Sequence, residues 1–177
     1  GGACSTRSTP LFDGVAVDAW SHPLLLDVER AVVLTEVFLA GMLSRGWSEL
    51  GTAFAAVLYH TALSGALEGC RRVFERYGRE DGLKLVAERF RLQGFGVLEV
   101  ARLTARELVA RVYDSIECGL QRGAGAPRGA IVRGIVSGIA AAYWGVGPEG
   151  VEVDEVKCLA KGDPYCCLLY TSPSPRD

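Results

Sequence analysis

The sequence lacks the motifs by which many enzymes and membrane proteins are recognised. Its 177 residues contain no catalytic-triad motif, no glycine-rich phosphate loop and no dinucleotide-binding fingerprint, so the motifs name no reaction class. A transmembrane helix needs about 20 predominantly apolar residues. The uncharged stretch at residues 51–67 is shorter and contains His60 and several small polar residues. We therefore expect no membrane span.

A large charge of one sign is also absent. The 19 basic and 21 acidic residues give a formal net charge of -2, which excludes a non-specific nucleic-acid binder because such a protein needs a basic face. Six unevenly spaced cysteines are too few for a disulfide scaffold, and they favour a reduced, cytoplasmic protein, a metal site, or both. Hydrophobic residues make up 49% of the chain, enough for the core of one folded domain.

The hydrophobic pattern changes from helical to strand-like and back along the chain. It predicts three helices, a β-hairpin, a fourth helix rich in small residues, and a second hairpin. Gly46 is expected to end the first helix, Ser48 to cap the second, and Gly78 to end it. The predicted segments are residues 24–45, 48–77 and 83–92, then 96–103 with 108–116, then 130–144, then 151–160 with a strand beginning at residue 165. This order predicts an α+β fold with N-terminal helices packed on an antiparallel sheet formed by two hairpins with a helix between them.

Both ends of the sequence differ from the middle. Residues 1–20 show no sustained periodicity and are predicted to form a loose N-terminal arm. Residues 167–177 abandon the composition that precedes them and resemble the conceptual translation of a sequencing adapter. We therefore predict an artefactual tail at residues 167–177 and a single domain at residues 21–166.

The second hairpin carries the only pattern that points to chemistry. If it turns at Gly162, Cys158 and Cys166 lie opposite each other, with Cβ atoms ~4.5–5.5 Å apart. That spacing could bring two sulfurs to one tetrahedral zinc, and Glu155 would join them if a bulge lay between it and Cys158. Cys118, at the end of the first hairpin, is the candidate fourth ligand. Two other interpretations stay open, since the cysteines could be buried free thiols or a disulfide.

Four motifs in this order resemble the 4-vinyl reductase domain family. They are GFG at residues 94–96, DSIEC at 114–118, GxxSG at 134–138 and ExxCxxxGDxxC at 155–166. The resemblance covers roughly residues 28–166. It implies an α+β fold related to the ligand-binding domains of nitric-oxide-signalling and Golgi-transport proteins. The family includes sensor domains of aromatic-responsive transcription activators and a protein implicated in bacteriochlorophyll synthesis.

The resemblance also implies a zinc site. In the aromatic-responsive sensors a glutamate and two cysteines of the last motif bind zinc, and these match Glu155, Cys158 and Cys166. A further cysteine of that pattern aligns with Gly129, where this chain departs from the family. Cys118 could take its place, water could complete the shell, or the site could be empty.

The leading hypothesis is a prokaryotic, cytoplasmic sensor or carrier module for a small apolar or aromatic ligand, stabilised by structural zinc and expected to form a homodimer. The ligand would lie between the long apolar helix and the sheet, where aromatic residues commonly line such sites. The pocket candidates are Tyr59, His60, Phe95 and Trp144. One alternative is a tetrapyrrole 8-vinyl reductase or its accessory protein, although no nicotinamide or flavin fingerprint supports catalysis. Another is a purely structural, dimerising interaction module.

Overall fold

The computed structural model describes residues 9–12, 15–17, 25–26, 29–30 and 32–171. The chain divides into two compact units, Gly1–Phe38 and Leu39–Asp177. In the first unit four short antiparallel strands pair in chain order. They are β1 (Thr9–Phe12), β2 (Val15–Val17), β3 (Leu25–Leu26) and β4 (Glu29–Arg30). The segment predicted to be a loose arm thus contains β1 and β2, and β3 and β4 occupy the start of the helix predicted over residues 24–45. Short apolar runs fit a strand as well as a helix, which explains that difference.

Three helices follow, and glycines in the left-handed region separate them. They are α1 (Glu36–Leu50), α2 (Thr52–Tyr77) and α3 (Arg79–Leu92). Gly51, with φ of 55°, and Gly78, with φ of 76°, stand at the two breaks, where a residue with a side chain would be strained. The expected end at Gly78 is confirmed. The expected end at Gly46 is wrong, because α1 continues to Leu50, and so is the Ser48 cap, because Ser48 lies inside α1.

The sheet is the antiparallel pair of hairpins that the sequence predicts. Its four strands are β5 (Val97–Leu103), β6 (Glu107–Tyr113), β7 (Glu152–Lys157) and β8 (Cys166–Thr171), in the spatial order β5-β6-β8-β7. On β8, Leu168 and Tyr170 are fully buried and point into the core. A tail boundary at Cys167 therefore cuts through a strand that pairs on both sides.

Two helices lie between the hairpins in the sequence, the short α4 (Ile116–Gly119) and α5 (Ala130–Trp144). Helix α5 has the predicted bounds and packs against α2 so closely that glycine is required. A Cβ atom at Gly138 would lie 2.7 Å from the carbonyl oxygen of Leu63. Buried residues of α2, α5 and the sheet form one hydrophobic cluster, which confirms the predicted fold class. Among the helices of the described residues, none has the length and apolar composition that crossing a bilayer requires.

Candidate metal centre

Four potential metal ligands meet where α4 approaches the second hairpin. The Sγ atoms of Cys118, Cys158 and Cys166 and a carboxylate oxygen of Glu155 all lie within 4.8 Å of one another. The three cysteines are at most 1% exposed, and the Sγ atoms of Cys118 and Cys158 are 3.6 Å apart. Sulfurs around a tetrahedral zinc with Zn–S bonds of ~2.3 Å stand about 3.8 Å apart, so these spacings fit such an ion.

The hairpin supplies three of the four side chains. Its register shifts between Glu155 and Lys157, and this is the bulge that Glu155 needs to share a face with Cys158. The turn is closed by Gly162, with φ of 106°, and by Asp163, whose carboxylate accepts a hydrogen bond from the Cys158 amide at 2.8 Å. The GD pair of the motif therefore shapes the turn that brings Cys158 beside Cys166.

Cys118 reaches the cluster from a different element. It lies on α4, whose first turn is capped by the Ser115 hydroxyl, which accepts a hydrogen bond from the Cys118 amide. A Cβ atom at Gly129 would lie 3.1 Å from both the Cys118 Sγ and Oε1 of Glu155. The absent side chain of Gly129 thus leaves the space that the Cys118 thiol occupies.

Both carboxylate oxygens of Glu155 are buried, and they have no hydrogen-bond partner among the described residues. Burying such a group without a partner costs several kcal/mol or forces it to take up a proton. Burial and then the neighbouring Cys158 raise the pKa of Glu155 to about 8. An orphaned carboxylate aimed at three thiols is the donor set expected of a metal site.

The three buried thiols perturb one another's pKa through the contacts between their sulfurs. Hydrogen bonds with Cys118 and then Cys166 lower the pKa of Cys158 well below its usual range. Hydrogen bonds with Cys158 and Cys166, together with burial, raise that of Cys118. The bond with Cys118 lowers the pKa of Cys166, but Cys158 and burial outweigh it and raise the value to about 12. A divalent cation would replace these protons and relieve the repulsion among ionised ligands.

The four pocket candidates lie at three separate places, because only Tyr59 and His60 are neighbours, with ring centroids 5.2 Å apart. The Tyr59 hydroxyl is 3.0 Å from the Ser137 hydroxyl at the interface of α2 and α5, and the neighbouring His60 is exposed. Phe95 contacts Phe90, with ring centroids 5.4 Å apart. The Trp144 indole donates a hydrogen bond to the Thr104 carbonyl oxygen at the turn of the first hairpin. Of the four, only Tyr59 is a half-buried residue whose hydroxyl contacts the hydroxyl of a fully buried residue, Ser137.

Sequence reasoning assigned no role to two residues that border the cluster. Glu117 is fully buried and accepts hydrogen bonds from two backbone amides at the start of α5. Gly129 was recognised as a departure from the family pattern, without its contact with Cys118. For Glu117, the available signal was its position next to Cys118 in the DSIEC motif. For Gly129, no signal in the sequence indicated its contact with Cys118.

No protein-family model and no curated protein sequence matches the chain. Solved structures do. The phenol-responsive sensory domain of the transcription activator PoxR, crystallised with phenol, superposes with a TM-score of 0.77 at 14% identity, over 90% of this chain and 85% of that domain. A trafficking protein particle complex subunit 3 from Naegleria fowleri, covalently bound to palmitic acid, gives 0.51 at 10% identity, over 80% of this chain and 95% of the subunit. A vinyl-4-reductase family protein from Methanocaldococcus jannaschii gives 0.44 at 14% identity, over 82% of this chain and all of that protein.

The first two likenesses show the fold. The chain has the fold of a small-molecule sensory domain, and its cluster of three cysteines and a glutamate could hold a metal ion.

Proposed function

We propose that this chain is a sensor or carrier module for a small, largely apolar or aromatic ligand, and that a structural zinc ion on Glu155, Cys158, Cys166 and Cys118 stabilises it. The observation that carries the proposal is this buried four-ligand cluster within the fold of a phenol-binding sensory domain. Zinc suits the site because three thiolates and a carboxylate form a closed tetrahedral shell with no position for a substrate. The ion would cross-link the second hairpin to α4.

The ligand class follows from the structural relatives and from the core. The similar domains are described with phenol and with palmitic acid, both of which combine an apolar body with one polar end. Here the Tyr59 and Ser137 hydroxyls are the polar pair beside the apolar cluster of α2, α5 and the sheet. They would orient the polar end of such a ligand.

Zinc content tests the metal half of the proposal. The full chain, purified under reducing conditions, should contain about one zinc per chain by elemental analysis. Cys158→Ser and Cys166→Ser should lose the zinc and lower the melting temperature. Cys167→Ser is the matched control, because Cys167 follows Cys166 on β8 but points to the other face of the sheet. A folded wild-type chain without zinc, or equal zinc in all four proteins, would refute the structural metal.

Thermal shifts with phenol and with palmitate test the ligand half. A ligand that binds the native state raises the melting temperature in proportion to the logarithm of its concentration. We expect at least one of the two to do so and Tyr59→Phe to reduce the shift, whereas the exposed His60→Ala should not. The absence of any shift at saturating concentrations in zinc-loaded protein would count against both ligand classes.

A homodimer is the partner we propose. Helix α1 has a single buried residue, Leu43, and its last residue, Leu50, is 59% exposed. Val57 on α2 is 62% exposed. A second copy of the chain would cover these apolar side chains. The proposed location is the cytoplasm, because the cysteines of the cluster are reduced. Light scattering should give twice the chain mass, and Val57→Glu should restore the monomer. A wild-type monomer at high concentration would contradict the dimer.

A further inference from the structure

Glu117 is a buried carboxylate that the zinc proposal leaves without a role. It is fully buried and lies next to Cys118 on α4. Its Oε1 accepts a hydrogen bond from the Ile131 amide and its Oε2 from the Val132 amide, each at 3.0 Å. Both amides belong to the first turn of α5, so one carboxylate spans two amides that no intrahelical carbonyl can satisfy.

The need for this carboxylate arises at Gly129. A helix of this length is normally capped by a serine, threonine or aspartate just before its first residue. At that position α5 has Gly129, which provides no side-chain cap. A capping side chain there would enter the metal cluster, because even its Cβ atom would lie 3.1 Å from the Cys118 Sγ and from the Glu155 Oε1. The cluster excludes a local cap, and Glu117 supplies one from α4.

The same contact fixes the ligand that lies apart from the others. Glu155, Cys158 and Cys166 belong to one hairpin, whereas Cys118 lies on a helix of four residues. The cap on Ser115 restrains the first turn of α4, and the Glu117 carboxylate attaches that turn to α5. Gln121 adds a hydrogen bond from its side-chain amide to the Glu117 carbonyl oxygen at 3.0 Å.

We infer that Glu117 is a positioning residue of the metal centre: by capping α5 from α4, it holds the Cys118 thiol within reach of an ion bound by the hairpin. The inference rests on the proposed zinc site. It makes occupation of that site and the placement of the start of α5 interdependent, because any movement of α4 that takes Cys118 away also removes the cap. Groups that orient metal ligands from outside the shell commonly change metal affinity by 10–100-fold when they are replaced.

Metal affinity and the spectrum of bound cobalt test the inference on the full reduced chain. Glu117→Gln keeps one acceptor oxygen but presents an NH2 group to the second amide, and Glu117→Ala removes both acceptors. We expect each to weaken zinc binding about 10–100-fold in chelator competition. We also expect the thiolate-to-cobalt absorption of each to fall toward that of Cys118→Ala, because the thiol is no longer held in place.

Gly138→Ala is the control for a general loss of stability, since it disturbs the packing of α5 on α2 away from the cluster. It should lower the midpoint of urea unfolding without zinc and leave zinc affinity and the cobalt spectrum unchanged. If Glu117→Gln binds zinc with wild-type affinity and a three-thiolate cobalt spectrum, Glu117 is only a helix cap and the inference is wrong. If the wild-type chain binds no metal, the zinc proposal itself fails, and the inference with it. If Glu117→Ala does not fold, Glu117→Gln alone decides.

Discussion

Replacing Gly129 by alanine should show whether the metal cluster or the start of α5 requires a glycine at this position. With φ of -86° and ψ of 53°, Gly129 does not need glycine for its backbone conformation. At such a position alanine usually stabilises a protein by about 0.4–1 kcal/mol, since it restricts the unfolded chain. The new Cβ would, however, stand 3.1 Å from the Cys118 Sγ and from the Glu155 Oε1.

The expected loss of zinc affinity follows from comparing two distances. A Cβ atom in ordinary contact lies 3.4–4 Å from its neighbours, so the Cys118 thiol and the Glu155 carboxylate must each move away by a few tenths of an ångström. A metal shell tolerates only about 0.2 Å. Gly129→Ala should therefore weaken zinc binding by at least about tenfold, or ~1.4 kcal/mol. In a Cys118→Ala background the clash with sulfur is gone and only the contact with the Glu155 Oε1 remains, so the same substitution should cost less zinc affinity than it does in the wild type.

A double-mutant cycle measures this dependence. Zinc affinity by chelator competition and urea unfolding with and without zinc are recorded for the wild type, the two single variants and the pair. A Cys118→Ala/Gly129→Cys chain adds a second check, because a thiol on the Cβ at position 129 starts within reach of the cluster and should restore a third thiolate to bound cobalt. Unchanged zinc affinity in Gly129→Ala would refute the steric argument. Equal effects in both backgrounds would refute the link to Cys118.

Three further predictions concern protonation, packing and the chain end. Because folding raises the pKa of Glu155 from 4.5 to about 8, the unfolded state binds fewer protons between these values, so the metal-free protein should lose stability as the pH rises through that window. Zinc affinity should rise over the same pH window. Melting curves recorded at several pH values with zinc and with a chelator would show whether zinc affinity and metal-free stability change in opposite directions, with Glu155→Gln as the control. Gly134→Ala should lower the free energy of unfolding by about 1–3 kcal/mol through overpacking against α2, whereas Gly69→Ala, with open space around it, should raise it by about 0.5–1 kcal/mol; equal urea midpoints would contradict this. A chain ending at Cys166 should fail to fold because it loses β8, whereas one ending at Thr171 should fold, and a cooperative melting transition in the shorter chain would show that β8 is dispensable.

The sheet and the last helix could be predicted because their limits are set locally. Gly145 takes the left-handed conformation that ends α5, and the turn at Gly162 fixes which residues of the second hairpin face each other. The spacing also set a condition, since a carboxylate three residues from Cys158 reaches its face only if the register shifts, and the structure has such a shift beside Glu155.

The first helices could not be predicted in the same way, because a glycine can serve two purposes. Gly46 looks like a helix end, but its side of α1 lies against the Phe54 ring, with no room for a Cβ atom. Ser48 looks like a cap, but inside α1 its hydroxyl donates to the Arg45 carbonyl oxygen at 2.9 Å. The break lies at Gly51, where positive φ decides, and neither spacing nor composition distinguishes that glycine from Gly46.

The metal cluster shows why an incomplete motif was still informative. Spacing within the hairpin placed three ligands, but the fourth depends on a contact between elements distant in the sequence, which no local pattern encodes. Gly129 has no side chain, and the Cys118 thiol occupies the space beside its Cα atom, where a Cβ atom would lie 3.1 Å from the Cys118 Sγ. A glycine at position 129 and a cysteine 11 residues earlier are therefore linked by one steric contact. Gly129 also leaves α5 without a side-chain cap of its own, and the buried Glu117 carboxylate caps the helix from α4 instead. Cys118, Gly129 and Glu117 should therefore change together or not at all.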